Sequence, residues 1–120
     1  VTGPWPPSVN HYWRRPEQAG RMAISAKGRT FRTAVLAAFL EQYGASWRAR
    51  VDPDARYRLH ISAAPPDRRR RDLDNVLKAT LDALEHARVF HDDAQVDDLH
   101  IVRGNPSKPG ELRIILEALR

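Results

Sequence analysis

Two acidic segments interrupt an otherwise basic chain. The first is Arg68-Arg69-Arg70-Arg71-Asp72-Leu73-Asp74-Asn75 and the second is His91-Asp92-Asp93-Ala94-Gln95-Val96-Asp97-Asp98. In an extended loop, residues i and i+2 point to the same side, so the carboxylates of Asp72 and Asp74 converge. Like charges brought together raise one pKa unless a cation sits between them. Hard carboxylate oxygens select Mg²⁺, or Mn²⁺ in its place, over softer metals. The plainer alternative is that one aspartate caps a helix and the other is solvated. The second segment packs four aspartates into seven positions. It also has a plain alternative, an acidic turn capping a strand. Lys78 follows Asp74 by one helical turn. It either forms a surface ion pair worth roughly 0.3–0.5 kcal/mol or offsets charge developing on a phosphate.

The four arginines adjoin the acidic pair directly. A solvated charge run is the ordinary explanation. Hydrolysis of a phosphodiester, however, needs positive charge for approach and a metal to activate water and stabilise the leaving oxygen. A basic funnel narrowing onto carboxylates meets both needs, whereas a plain DNA-binding module would avoid carboxylates that repel phosphate. This juxtaposition favours a nuclease over a binder. The histidines, His11, His60, His86, His91 and His100, form no HxxxH pair, so no zinc site is expected. His91 reads as a solvent-facing turn residue. No Ser-His-Asp arrangement or glycine-rich phosphate loop is present.

The elements that must carry these residues follow from periodicity. Pro4-Trp5-Pro6-Pro7 suits neither a helix nor a central strand and reads as a rigid extended entry. Residues 10–22 read as a loop. Ser25 is a candidate N-cap for an amphipathic helix over 27–43, with Phe31, Val35, Ala38 and Phe39 on one side. Asp52-Pro53-Asp54 signals a turn. Tyr57, Leu59, Ile61 and Ala63 alternate with Arg58, His60 and Ser62 in a half-buried strand that Pro65-Pro66 ends. A second helix is expected over 74–87, with Asp74, Lys78, Asp82 and Glu85 on its polar face. A strand over 95–103, a hairpin loop over 105–110 and a strand around Leu112, Ile114 and Leu116 complete the chain. The two acidic segments therefore sit at opposite ends of a helix about 21 Å long. Asp93 reaches Asp74 only if the chain turns back across the sheet. The expected fold is α+β: a single two-layer domain over residues 1–120, with a mixed or antiparallel sheet and helices packed on one face.

Composition is consistent with this. At 120 residues and 42% hydrophobic content the chain can build one modest core, to which a partner chain could add buried area. The net charge is +5, and only Lys27, Lys78 and Lys108 are lysines. Arginine's planar fork suits phosphate. With no cysteine, disulfides and thiolate sites are excluded. No apolar run approaches a membrane span and no signal segment opens the chain, so a cytoplasmic location is the simplest expectation.

The stretch from Asp67 through Asp72-Leu73-Asp74-Asn75-Val76-Leu77-Lys78-Ala79, then Asp82-Ala83-Leu84 and Asp92-Asp93-Ala94-Gln95-Val96, closely resembles the RusA family of Holliday junction resolvases. Pro4-Trp5-Pro6-Pro7-Ser8 with Asn10, Tyr12 and Arg14 resembles that family's opening motif. Ser25, Gly28, Phe31 and Arg32 resemble its first-helix entry. The resemblance implies a homodimeric, Mg²⁺-dependent endonuclease that makes paired symmetric nicks in four-way DNA junctions, in recombination and repair. By position, Asp72, Asp74 and Asp93 match its metal-binding carboxylates, Lys78 its essential lysine and Arg71 a DNA-contacting basic residue. Arg68, Arg69, Arg70, Arg14 and Lys27 are further expected DNA contacts. Two departures stand out. The family usually has glycine where Arg88 stands, which suits a left-handed helix cap, and it has a few more strand residues ahead of Pro4. The rival readings are a catalytically impaired junction-binding protein and a less specific metal-dependent nuclease.

Overall fold

The computed structural model describes residues 1–8, 13–14, 23–47 and 52–119, with the backbone alone at 13, 14 and 23. The expectations for Asn10, His11 and Tyr12, and for the Arg14 side chain, lie outside the described residues.

The chain forms β1 (Thr2–Pro4), β2 (Trp13–Arg14), β3 (Ala23–Ile24), α1 (Ala26–Tyr43), β4 (Arg56–Ala64), α2 (Leu73–His86), β5 (Val96–Arg103) and β6 (Glu111–Leu119). A short 3₁₀ turn, Asp93–Gln95, precedes β5. Four strands make one mixed sheet in the order β1-β6-β4-β5. β6 lies antiparallel to β4, and β5 lies parallel to it. β2 and β3 form a separate two-stranded ribbon, so part of the expected 10–22 loop is strand.

The alternation in β4 puts Leu59, Ile61 and Ala63 inward, all fully buried. From β6, Leu112 and Ile114 join them. Phe31, Val35 and Phe39 of α1 and Val76, Ala79, Ala83 and Leu84 of α2 cover this face. Each large apolar side chain so buried contributes about 1.5–3 kcal/mol. The fold is α+β with one core between sheet and helices, as expected. Arg32 of α1 clasps Asp82 of α2 through two hydrogen bonds of 2.7 and 3.0 Å, fixing the helices side by side.

One expectation fails. Residues 105–110 do not close a hairpin, because β5 and β6 are not neighbours. They flank β4 on opposite sides. The physical reason is burial. β6 carries Leu112 and Ile114, which need an interior position. β5 carries Asp97, Asp98 and His100, which suit an edge. A parallel β4–β5 pair also needs a crossover, and α2 supplies it. The short edge strand β1 is present, pairing Thr2–Pro4 with Glu111–Arg113 of β6.

Candidate active site

Asp72 occupies the N-cap position of α2, with extended backbone at φ −90° and ψ 132°. Its side chain makes no capping hydrogen bond. A capping aspartate is worth about 1 kcal/mol, so this carboxylate forgoes a contact within easy reach. Asp74 stands in the first helical turn, and both carboxylates are exposed. The reading in which Asp72 merely caps the helix therefore lacks its hydrogen bond. Lys78 is exposed one turn further along.

The loop before Asp72 is held from several sides. Arg71 donates to the Asp67 carboxylate at 2.6 Å and lies over the Trp5 ring, 5.8 Å from its centroid. The Arg71 hydrogen bond, helped by the Arg69 backbone N–H, draws the Asp67 pKa down to about 2. Arg103 at the end of β5 donates to the Arg71 carbonyl at 2.5 Å. Trp5, Pro6, Pro7 and Ser8 line a small cleft with Arg71, Asp72, Asn75 and Val76. Gly110 makes room for this arrangement: at φ +97° any Cβ there would lie 2.6 Å from the Trp5 Cβ. Arg68, Arg69 and Arg70 are exposed, and Arg69 reaches Asp67 at 3.8 Å. Arg71 is half-buried and held more closely within the chain than the other three, which are exposed. Lys27 is exposed in the first turn of α1 and rims an open apolar groove walled by Trp5, Pro6 and Pro7.

Asp93 is elsewhere. It lies beyond the C-terminus of α2, where Glu85, Asp92 and Asp93 bring ligand oxygens within 4.8 Å of one another. Glu85 is eleven residues past Asp74, roughly 16 Å along the helix axis. Among the described residues, one chain therefore sets Asp72 and Asp74 at the start of α2 and, separately, gathers Asp93 with Asp92 and Glu85 at its end. It does not bring Asp93 to the first pair. The chain after α2 enters the 3₁₀ turn and β5 at the helix's far end and does not turn back.

The electrostatics of this second cluster follow from crowding. Burial, then the Asp93, Asp92 and Asp82 charges, raise the Glu85 pKa. Burial and contact with Asp92 raise that of Asp93. Such a cluster is relieved by a cation, and its all-oxygen donors fit a hard divalent ion.

Gln95 holds the acidic turn in place. Its buried side-chain oxygen accepts from the His91 N–H at 2.7 Å and the Asp92 N–H at 3.0 Å. Its amide nitrogen donates to the carbonyls of Asp52 and Ala55, both at 2.8 Å. The Asp92 carboxylate accepts from the Ala94 N–H at 2.8 Å. Phe90, fully buried against Tyr57, anchors the approach. Sequence reasoning passed over Gln95, and it placed Glu85 only on a polar helix face. The signal for Gln95 is its position three residues after Asp92, the spacing of a capping box.

The family model for the endodeoxyribonuclease RusA matches residues 4–117. The chain belongs to the RusA family. A crossover junction endodeoxyribonuclease RusA from Enterobacteria phage HK97 is 40% identical over 116 residues, covering 97% of this chain and 91% of the relative. Those from Shigella sonnei and Escherichia coli K12 are each 39% identical, with the same coverage. The match takes in both acidic clusters, the arginine run and the Trp5–Pro7 entry. These RusA relatives are named for cutting DNA at crossover junctions. Among the described residues of this RusA-family chain, no helix is long and apolar enough to cross a membrane.

Proposed function

We propose that this chain is a Mg²⁺-dependent endodeoxyribonuclease that resolves four-way DNA junctions by paired symmetric nicks, acting as a homodimer in recombination and repair. The observation that carries the reading is the uncapped Asp72 carboxylate beside Asp74, rimmed by Arg68–Arg71, in a chain of this family. Asp72, Asp74 and Asp93 are the proposed metal ligands, and Mn²⁺ can replace Mg²⁺. Bound there, the ion would activate the attacking water and stabilise the departing oxygen. Lys78, exposed one helical turn past Asp74, would offset negative charge on the phosphate. The exposed Arg68, Arg69 and Arg70, with Lys27 and Arg14, position the DNA backbone. Arg71, tied to Asp67 and Trp5, sets the shape of the loop from which those arginines extend.

The homodimer matters for the chemistry. Asp93 lies at the far end of α2, so a single chain supplies the three aspartates in two places. A two-fold dimer can bring the Asp93 end of one protomer to the Asp72–Asp74 end of the other. It also presents two equivalent sites to a two-fold junction.

The deciding experiment compares wild type with Asp74→Asn on a synthetic four-way junction, with Mg²⁺ and then with chelator. The expected result is symmetric nicking by wild type with Mg²⁺ alone. The variant is expected to lose cleavage while junction binding is kept or tightened, since a repulsive charge is gone. No cleavage by wild type across salt and pH would leave the junction-binding reading. Equal cutting of junction, linear duplex and RNA hairpin would leave the less specific nuclease.

A further inference from the structure

We infer that the apolar groove between the Pro4–Pro7 entry and α1 receives one nucleobase of a branched DNA, extruded from its stack beside the phosphate that is cut. The inference rests on the junction-nuclease reading above and adds to it a base-binding subsite that separates branched from linear DNA.

The groove has a volume of about 530 Å³, within the roughly 300–1,000 Å³ of ordinary small-ligand sites. One wall is the entry segment with Trp5, Pro6 and Pro7. The other is a single face of α1, on which Lys27, Thr30, Phe31 and Ala34 stand at i, i+3, i+4 and i+7. Phe31, 3% exposed, forms the floor. Thr30 spends its hydroxyl on the Ala26 carbonyl at 3.0 Å, which leaves its methyl group as the lining surface. Ala26 and Ala34 are small, and their size leaves the room. Among the described residues no carboxylate lines the groove, so nothing in its walls repels a nucleotide.

The position is as telling as the chemistry. Trp5, Pro6 and Pro7 also line the cleft that contains Asp72. The Trp5 side chain therefore divides the two, with Arg71 over the indole on the Asp72 side. Gly110 fixes this partition, because a Cβ there would collide with the Trp5 Cβ. A nucleotide whose phosphate lies at Asp72 has only to place its base on the other side of one indole. The exposed Lys27 then meets the neighbouring phosphate at the lip of the groove, while Arg68, Arg69 and Arg70 serve the cleft side.

Aromatic and proline rings accept any base, because every base has a π-face. They offer nothing to a duplex whose bases stay paired and stacked. Extruding a base costs least where pairing and stacking are already weakened. Where strands exchange, the arms of a junction do not all stack on one another, so the bases there are the least held. The groove thus rewards branched DNA and leaves linear DNA to the surface cations alone. One base–aromatic contact corresponds to roughly fivefold to a hundredfold in affinity.

Photocross-linking in chelator tests this without cutting. 5-Iododeoxyuridine replaces thymidine at successive positions on either side of the crossover of a synthetic four-way junction. Irradiation of the wild-type complex should join the base at one position to a peptide containing Trp5 or Phe31, identified by mass spectrometry. A linear duplex of the same sequence should give no such product. Ala34→Leu and Ala26→Leu fill the groove from α1 without entering the Asp72 cleft. With circular dichroism unchanged, each should lose the cross-link and lower the ratio of junction to duplex affinity about tenfold. Absence of a Trp5 or Phe31 cross-link at every position overturns the inference, and so does an equal yield from linear duplex. A folded, filled variant that keeps both cross-link and affinity ratio overturns it as well. A filled variant that alters only the sedimentation of the free protein assigns the groove to a protein segment instead. Wild type that cross-links but never nicks with Mg²⁺ keeps the groove and loses the nuclease reading. Wild type that nicks junctions and never cross-links does the reverse.

Discussion

Asp92 and Gln95 show how much of the acidic turn depends on single side chains. Gln95 uses both lone-pair directions and both amide protons on four backbone groups. Gln95→Ala would strip partners from two N–H groups and two carbonyls, each costing about 1–3 kcal/mol where burial keeps water away. Urea denaturation should register a loss of roughly 3 kcal/mol or more. Asp92 contributes both a cap and a repulsive charge. The raised pKa values of Glu85 and Asp93 mean that their ionised forms are less favourable folded than unfolded. That penalty is absent at pH values below the ordinary carboxylate range, where both states are protonated. It grows as pH rises and is complete above the raised values. Asp92→Asn keeps a side chain able to cap Ala94 and removes one negative charge. In chelator, it should raise the melting temperature at pH 7 and leave it unchanged near pH 3. Adding Mg²⁺ should raise the wild-type melting temperature and narrow the gap at pH 7.

At the scale of the element, α2 owes its C-terminus to an uncomfortable residue. The Val89 N–H bonds back to the Leu84 carbonyl at 3.2 Å, and the Arg88 N–H to Glu85 at 3.1 Å. These are the two bonds of a Schellman cap, which demands a left-handed residue between helix and turn. Arg88 adopts it, at φ 63°. A residue with a Cβ costs about 1–2 kcal/mol there relative to glycine. Arg88→Gly should therefore stabilise the fold by about 1 kcal/mol, read from chemical denaturation. It should also leave the 3₁₀ turn in place, because Gln95 and Phe90 hold that turn independently. At the other end of α2, Asp72 sits ready to cap and does not. The strained end and the uncapped end are the two that carry the candidate ligands.

Over the whole molecule, charge separates in a way that the net value of +5 hides. Exposed arginines gather before α2, and carboxylates gather after it. If each subunit engages about six phosphates, junction affinity should fall with salt at a log–log slope near −5 per subunit. Titrating fluorescent junction DNA from low to moderate salt measures this slope, and removing the charge of Arg68 and Arg70 should make it shallower by about 1–2. Subunit mixing tests the shared arrangement of ligands. Asp74→Asn and Asp93→Asn homodimers should each be inactive. Mixed dimers should recover nicking at one site, because one interface then pairs an intact Asp72–Asp74 end with an intact Asp93.

The sequence alone determined what is local. Ser25 caps α1 with its hydroxyl accepting from the Gly28 N–H at 3.0 Å, as its residue type and position require. The alternation of β4, the start of α2 at Asp72–Asp74 and the resemblance carried by the arginine and aspartate motifs were all legible, because hydrophobic period, capping chemistry and motif spacing act over a few residues. Tertiary structure decided the rest. Only packing revealed that β6 crosses to the far side of β4, since the short loop before it looks like a hairpin until the burial of Leu112 and Ile114 is weighed against the polar β5. Only packing assembled Glu85 with Asp92 and Asp93, and buried Gln95 among backbone groups from 52 to 92. It also kept Asp93 a helix-length from Asp74: a parallel strand pair joined by one rigid helix must leave the segments at either end of that helix apart.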